Sequence, residues 1–317
     1  MGKPKGKEEL LFPAKIALLL TIPSLFLFVF FNIWPIAFSV YLAFTNANQI
    51  NVYNPEYSAR PLRFIGFSNF VQLFNDPAFY YSLLKTLLFL GTSVPLKMLV
   101  GVGLAFLFSS PLIYGKRVMR GLLLTPWALP AILSVMIWRG ALDPRYGPMT
   151  QFFSLIVGRP FQAVGTTMNE WDSFLAYNII EMWLAYPFVM TVVGGAISGI
   201  PKEIIEASIV DGAGIFSRTT KIVLPLIMRT VAFVAVLTSG ASLQAFLIPF
   251  VLNDGGPMIN FMGKLIFSND LLLLYGYHRF MRDYEWGYAA AFYLIVVLIL
   301  SVYVYIWFKL VFQRGGK

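Results

Sequence analysis

Residues 203–225 read EIIEASIVDGAGIFSRTTKIVLP, the longest polar-studded helical stretch set between two long apolar runs of this chain. Pro201 suits a first helical position, where a missing N–H costs nothing, and Glu203 and Glu206 fall in early turns, where the helix dipole favours negative charge. The helix they open runs to about Asp211. Gly212, Ala213 and Gly214 then break it, since glycine takes the positive φ that ends helices. Residues 215–222 form a second short helix carrying Arg218 and Lys221 toward the next apolar run, which opens at Pro225. The expected unit is a helix, a tight turn and a helix, projecting from the layer that the apolar runs occupy.

That layer is a bilayer. Of 317 residues, 58% are hydrophobic, 17% aromatic and 12% charged, and the mean hydropathy is +0.72; a soluble domain could not hide so much apolar surface. With no Cys, a disulfide framework, a thiolate metal site and a cysteine nucleophile are all excluded. Six runs are predicted to span: 16–44, 77–109, 121–142, 174–197, 226–252 and 287–308. The first follows Lys3, Lys5 and Lys7, is too long for a signal-peptide core and lacks a small-residue cleavage site, so it is read as retained and bent at Pro23 and Pro35. Pro126 and Pro130 lie inside the third.

Between the spans, residues 45–81 form a polar, aromatic first outer loop. Within it Phe70, Leu73 and Phe74 are spaced for an amphipathic helix on the membrane surface, and Asp76-Pro77 reads as an N-cap followed by a first-turn proline. Asp143-Pro144 and Gly147-Pro148 mark turns in a second outer loop, and Asn253-Asp254-Gly255-Gly256-Pro257 lies in a third. Six spans put both termini on one side. The segments on that side carry fourteen Lys/Arg against eight on the other, which by the positive-inside rule makes the termini and residues 203–225 cytoplasmic. Much of the net charge of +9 is therefore topological, and without a basic aromatic groove it does not imply nucleic acid.

Residues 203–225 also resemble the cytoplasmic EAA loop of permease subunits of ABC importers. Glu206, Ala207, Asp211, Gly212, Ala213, Ile222, Leu224 and Pro225 match that pattern in order and spacing, with Ser208 in place of its second Ala, Thr219 where Phe is usual, and Phe216 an aromatic earlier in the same turn. The resemblance covers nearly the whole chain. FIGFSNFVQLFNDPAF at 64–79, TPWALPAILSVMIWR at 125–139, DGGP at 254–257 and WGYAAA at 286–291 look like the first of two permease subunits in maltose-type and glycerol-phosphate-type importers. These 317 residues depart from the enteric maltose subunit in showing neither its large extra domain nor its additional N-terminal spans, so the minimal six-span form is expected.

The resemblance implies an all-α integral membrane protein of the type I importer permease fold. Residues 1–81 would hold the N-terminal tail, first span and first extracytoplasmic loop, and 82–312 the permease core with its loop at 203–225. It implies a second, unlike permease subunit, two ATPase subunits that hold ATP and Mg, an extracytoplasmic solute-binding protein, surrounding membrane lipid, and a sugar or polyol as cargo. Ile205, Glu206, Ala207, Ile209, Asp211, Gly212, Ala213 and Phe216 would then couple to the ATPase, with Ile205 and Ile209 filling a groove on it and Glu206 meeting a basic residue there or bracing Arg218 or Lys221.

The residues themselves carry no enzyme chemistry. The Gly-Lys pairs at Gly2, Gly6, Gly115 and Gly263 lack the glycine and hydroxyl partners of a phosphate loop, so this chain is expected to bind no nucleotide cofactor. His278, the sole histidine, lies in an outer loop without a second ligand at metal spacing and reads as a surface residue, not a metal site. Gly101 with Gly103, and Gly195 with Gly199, read as close helix packing.

Lys97 and Glu181 lie inside spans, where a charge costs about 2.5–3.5 kcal/mol without a partner or water. They either contact a polar pathway or pair with each other. Asn178, Trp183, Tyr186, Ser239, Ser242 and Gln244 add hydrogen-bonding and stacking groups suited to a sugar, or, for the two aromatics, plain packing. An ion-coupled secondary transporter is the alternative. It calls for an inverted repeat, and no convincing one is found.

Overall fold

The computed structural model describes residues 14–58, 61–110 and 113–309. The basic residues of the expected terminal tails, Lys3, Lys5, Lys7, Arg314 and Lys317, lie outside them. In chain order the elements are α1 (Leu19–Ala43), α2 (Ser68–Phe74), α3 (Pro77–Ser109), and three short helices, α4 (Lys116–Leu123), α5 (Thr125–Ala128) and α6 (Ala131–Ala141). After α7 (Pro148–Val157) come α8 (Glu170–Ser198), α9 (Lys202–Val210), α10 (Ile215–Leu243) and α11 (Leu247–Asn253). A hairpin of β1 (Met258–Phe261) and β2 (Lys264–Phe267) precedes α12 (Leu272–Met281) and α13 (Trp286–Phe308).

Among the described residues five helices, α1, α3, α8, α10 and α13, are long and apolar enough to cross a membrane. The third expected span, 121–142, is not a single helix. Pro126 and Pro130 have no N–H to give, and Leu129 is extended, the conformation favoured before a proline, so the segment breaks into α4, α5 and α6. The fifth is also redrawn. It starts at Ile215 and ends at Leu243, and residues 219–223 make one π turn just before Pro225, which offers no N–H to the Lys221 carbonyl. The third outer loop contains the hairpin and α12, neither of which was expected; the hairpin turn has Met262 and Gly263 at positive φ, with Gly263 N–H on Asn260 Oδ1 at 3.1 Å.

Helices α3 and α8 form the axis of the molecule and run in the same direction. Going down the pair, Lys85 meets Glu170, Thr92 donates to Asn178 at 2.8 Å, Lys97 meets Glu181, and Gly101 abuts Val189. A Cβ on Gly101 would sit 2.4 Å from Val189 Cβ, so close packing is correct there. Among the described residues, Gly103, Gly195 and Gly199 meet no other helix, so within this chain the packing reading does not hold at those positions. Helix α10 runs antiparallel to α3, with Ser242 3.2 Å from Ser93 and the Thr238 carbonyl on Lys97. Apolar clusters fill the spaces on either side, one around Phe89, Tyr177 and Leu271, another around Phe108, Val189 and Val234.

At the end where α3 and α8 begin, the loops form a polar crown. Asp76 is its hub: it caps α3 through Ala78 N–H and accepts from Lys264, Tyr275, Arg279 and Tyr288. One carboxylate thus joins the start of α3 to the hairpin, α12 and α13. Leu73 of α2 is buried in the adjoining cluster with Phe79 and Phe292, so α2 is clamped to the protein more than laid on a surface. At the opposite end, α9 follows α8. Its C-terminus is a Schellman motif: Ala213 N–H bonds the Ser208 carbonyl at 2.9 Å, Gly212 N–H bonds Ile209 at 3.0 Å, and Gly212 takes φ +76°.

Candidate functional site

Midway along the axis lies a cavity of about 410 Å³, lined by Lys97, Glu181, Thr238, Trp127, Leu184 and Ile248 among others. Three helices contribute its polar floor. The ammonium of Lys97 on α3 donates to Glu181 on α8 at 2.8 Å, to Ser242 Oγ on α10 at 2.5 Å and to the Thr238 carbonyl at 3.0 Å, and the Ser242 hydroxyl donates to the same Glu181 oxygen at 2.5 Å. Lys97 spends all three N–H groups here and is only 1% exposed. Buried ions are tolerated on these terms, paired and fully hydrogen-bonded. The pairing that the sequence allowed for Lys97 and Glu181 therefore forms, and the pair lies on the wall of the cavity.

The other candidates divide. Asn178 is buried beside this cluster and holds Thr92. Trp183 packs edge-on against Trp138 at 5.9 Å, Tyr186 donates to the Leu123 carbonyl at 2.9 Å, and Ser239 pairs with Tyr303 on α13; none of them lines the cavity. Gln244 sits exposed at the C-terminus of α10, bonded to the Gly240 carbonyl. Of the lining residues, the sequence reading selected Lys97 and Glu181; Thr238 and Trp127 are among those it missed. A threonine one turn from Ser242 on an apolar helix was the available signal for the first; Trp127, which lines the cavity while 60% exposed, offered none.

The second candidate is the segment opened by α9. Glu206, Ala207, Asp211 and Gly212 are exposed, and so are the apolar Ile209, Val210, Ile215 and Phe216, the last at 82%. Ile205 is half-buried beside the inward Ser208, whose hydroxyl bonds its carbonyl at 2.6 Å. The exposed apolar set is thus Ile209, Val210, Ile215 and Phe216, with Ile204 exposed to a lesser degree, not Ile205 with Ile209. Among the described residues Glu206 makes no ion pair with Arg218 or Lys221, so it braces neither.

In the crown, His278 is buried, not at the surface, with Nδ1 3.0 Å from Asp270 and Nε2 3.1 Å from Asp254. Burial pushes the Asp270 carboxyl up, partly opposed by His278 and Arg279. Burial also pushes Asp76 up, but Ala78 N–H, Arg279, Lys264 and Tyr275 outweigh it and hold this carboxyl below the usual range.

Comparison with known proteins matches residues 97–316 to the family described as binding-protein-dependent transport system inner membrane component. The chain is 29% identical over 286 residues to the galactooligosaccharides transport system permease protein of Bacillus subtilis, covering 89% of this chain and 66% of that one. It is 29% identical over 304 residues to the trehalose/maltose transport system permease protein of Thermococcus litoralis, covering 96% and 94%. Its fold matches a chain of a bacterial ABC transporter involved in the import of the acidic polysaccharide alginate, with a TM-score of 0.76, 20% identity and 96% of each chain covered.

Proposed function

The chain belongs to the family of binding-protein-dependent transport system inner membrane components, and from that membership we propose that it is a permease subunit of an ATP-driven importer for a sugar or related polyol. The relatives' names, which concern galactooligosaccharides and trehalose or maltose, support that substrate class. An extracytoplasmic binding protein delivers the cargo, a second permease completes the pathway, and ATP with Mg is held by two separate ATPase chains. Residues 116–141 supply the sixth crossing as a broken helix: Arg120 touches the Phe108 carbonyl at the far end of α3, and Arg139 touches the Val251 carbonyl beside the crown. Both termini and α9 then face the cytoplasm.

The cavity at Lys97, Glu181 and Thr238 is this subunit's share of the pathway. Its floor presents oxygens and an ammonium at mid-span, where hydroxyls of a sugar would exchange hydrogen bonds with groups already drawn together. The observation that carries the reading is the segment from Lys202 to Arg218, a short helix stopped at Gly212 that leaves Ile209, Val210, Ile215 and Phe216 open. An exposed apolar knob on a rigid two-helix mount suits a groove on a partner. Because α9 follows α8 and α10 follows the knob, motion of the ATPase reaches Glu181 and Ser242 through two continuous helices.

Gly212→Val tests this. A β-branched side chain at φ +76° costs roughly 1–2 kcal/mol and redirects the knob. The expected result is a chain that inserts and folds, no longer co-purifies with the ATPase or stimulates hydrolysis with substrate, and does not support uptake. Retention of all three at the wild-type level removes the coupling role. Uptake by the chain alone in liposomes, driven by an ion gradient, would instead favour a secondary transporter.

A further inference from the structure

The end of α3 carries a second, unassigned pocket. A cavity of about 280 Å³ lies between the last turns of α3 and α8 and is closed on one side by α4; Ala105, Phe108, Leu124 and Met190 make its walls, and Arg120 stands at its edge. On α8 it is bounded by Gly194 and Gly195, and the position of a Cβ on either meets nothing within 4 Å. Small residues usually bring helices together; these two leave a slot that no helix of the described residues enters.

Helix α4 gives the slot a chemical character. At 100° per residue, Lys116, Arg117 and Arg120 fall on one face, and Val118, Met119 and Leu122 on the other. Arg120 donates to the Phe108 carbonyl at 2.7 Å and Lys116 reaches the Ser110 carbonyl at 3.4 Å, so α4 is fixed beside the last turn of a spanning helix. Its apolar face is open: Val118 and Leu122 are more than two-thirds exposed, and Tyr114, just before it, is almost wholly exposed. Apolar side chains at the height where a span ends, bordered by cations and a tyrosine, are the composition of the boundary between acyl chains and headgroups.

We propose that this slot is a binding site for an anionic phospholipid, one acyl chain lying along Gly194 and Gly195 and the phosphate held by Arg120 and the exposed Arg117. The slot's walls are apolar and its edge carries Arg120, which suits an acyl chain ending in an anionic headgroup. Charge argues against a neutral lipid, because Arg120, which lines the slot, uses one donor of its fork on the Phe108 carbonyl and is in no ion pair among the described residues. The site is distinct from the mid-span cavity and does not depend on the transport reading.

The test uses the full chain in nanodiscs of phosphatidylcholine with or without phosphatidylglycerol, followed by delipidation and native mass spectrometry. Wild type is expected to retain phosphatidylglycerol about tenfold over phosphatidylcholine, and millimolar inorganic phosphate should not displace it. Arg117→Gln should lower the ratio severalfold through loss of charge. Gly195→Leu should lower retention of both lipids by filling the slot, with all charges intact. Gel filtration confirms that each variant is folded, and the two variants act on different halves of the lipid, so a loss of fold cannot imitate both. Equal retention of the two lipids by wild type, displacement by free phosphate, or unchanged retention in both variants overturns the proposal.

Discussion

The two ends of the α3–α8 axis are constructed in opposite ways. In the crown, charges are spent on each other: Asp76 is 4% exposed and accepts from four side chains of three later elements, Asp254 and Asp270 flank His278, and Arg282 closes on Asp254. Around α9 the charges are solvent-facing, and among the described residues Glu203, Glu206 and Asp211 are in no ion pair, while four apolar side chains lie open beside them. The crown completes itself within one chain. The α9 end is ordered, through its Schellman turn, but leaves its contact groups unspent, as a surface meant for a partner should.

The sharpest way to break this contrast is at Asp76. Removing the buried carboxylate takes the acceptor from Tyr275, Tyr288 and the Ala78 N–H and leaves Arg279 with only the more exposed Asp283 and Glu285, so Asp76→Ala should cost about 3 kcal/mol, the low end for a broken buried pair, with little of it owed to the half-exposed Lys264. Glu206→Ala, at an exposed site, should stay within about 0.5 kcal/mol. Thermal unfolding in detergent compares them, and equal shifts would abolish the distinction. The sign with pH follows from the lowered carboxyl of Asp76. Its contribution is present above the unfolded value near ~3.9 and is lost as pH falls through the lower folded value, so acidification below about pH 4 should destabilise wild type more than Asp76→Asn.

Between the two ends, the Lys97–Glu181 pair tests whether the mid-span is a crown-like lock. Lys97→Met leaves Glu181 beside a cavity that admits water, so the expected loss is about 3 kcal/mol, the low end for a broken buried pair. Lys97→Met with Glu181→Leu should recover most of it. A double variant as unstable as the sum of its single changes would mean that the two ions do not act as a unit. Uptake should fall in the double variant despite its stability, since the cavity has then lost its ion pair.

Much of this was legible in the sequence, for identifiable reasons. Length and hydropathy marked the long helices, Asp76-Pro77 marked the start of α3 to the residue, and the polar pattern at 203–211 with Gly212 marked both α9 and its left-handed stop. What was not legible depends on which way a helix turns. Trp183, Tyr186 and Gln244 have the chemistry of a sugar site, but rotation about α8 and the end of α10 sends them elsewhere, and no periodicity appears in a helix that is apolar all round. The hairpin at 258–267 is too short for its alternation to stand out, and the partners of His278 are separated from it by 8 and 24 residues, a distance over which only the fold brings them together.

Phe216 shares with Glu206 the smallest expected effect on stability, and it sharpens the comparison most. Its ring is 82% exposed, so Phe216→Ser removes almost no buried area and should change unfolding by no more than about 0.5 kcal/mol. If the α9 end is a surface awaiting a partner, the same change should still weaken ATPase association by about tenfold, since an aromatic buried at the centre of an interface is worth more than 1 kcal/mol when truncated. Ile209→Ser should follow it in direction with a lesser loss, its side chain being smaller and already partly covered. Binding measured with purified ATPase against unfolding of the free chain separates the two quantities. A Phe216→Ser chain that binds as tightly as wild type would place the contact elsewhere on the molecule. One that unfolds several kcal/mol more easily would mean that the ring supports α10 from within, and that the two ends are less different than their exposure implies.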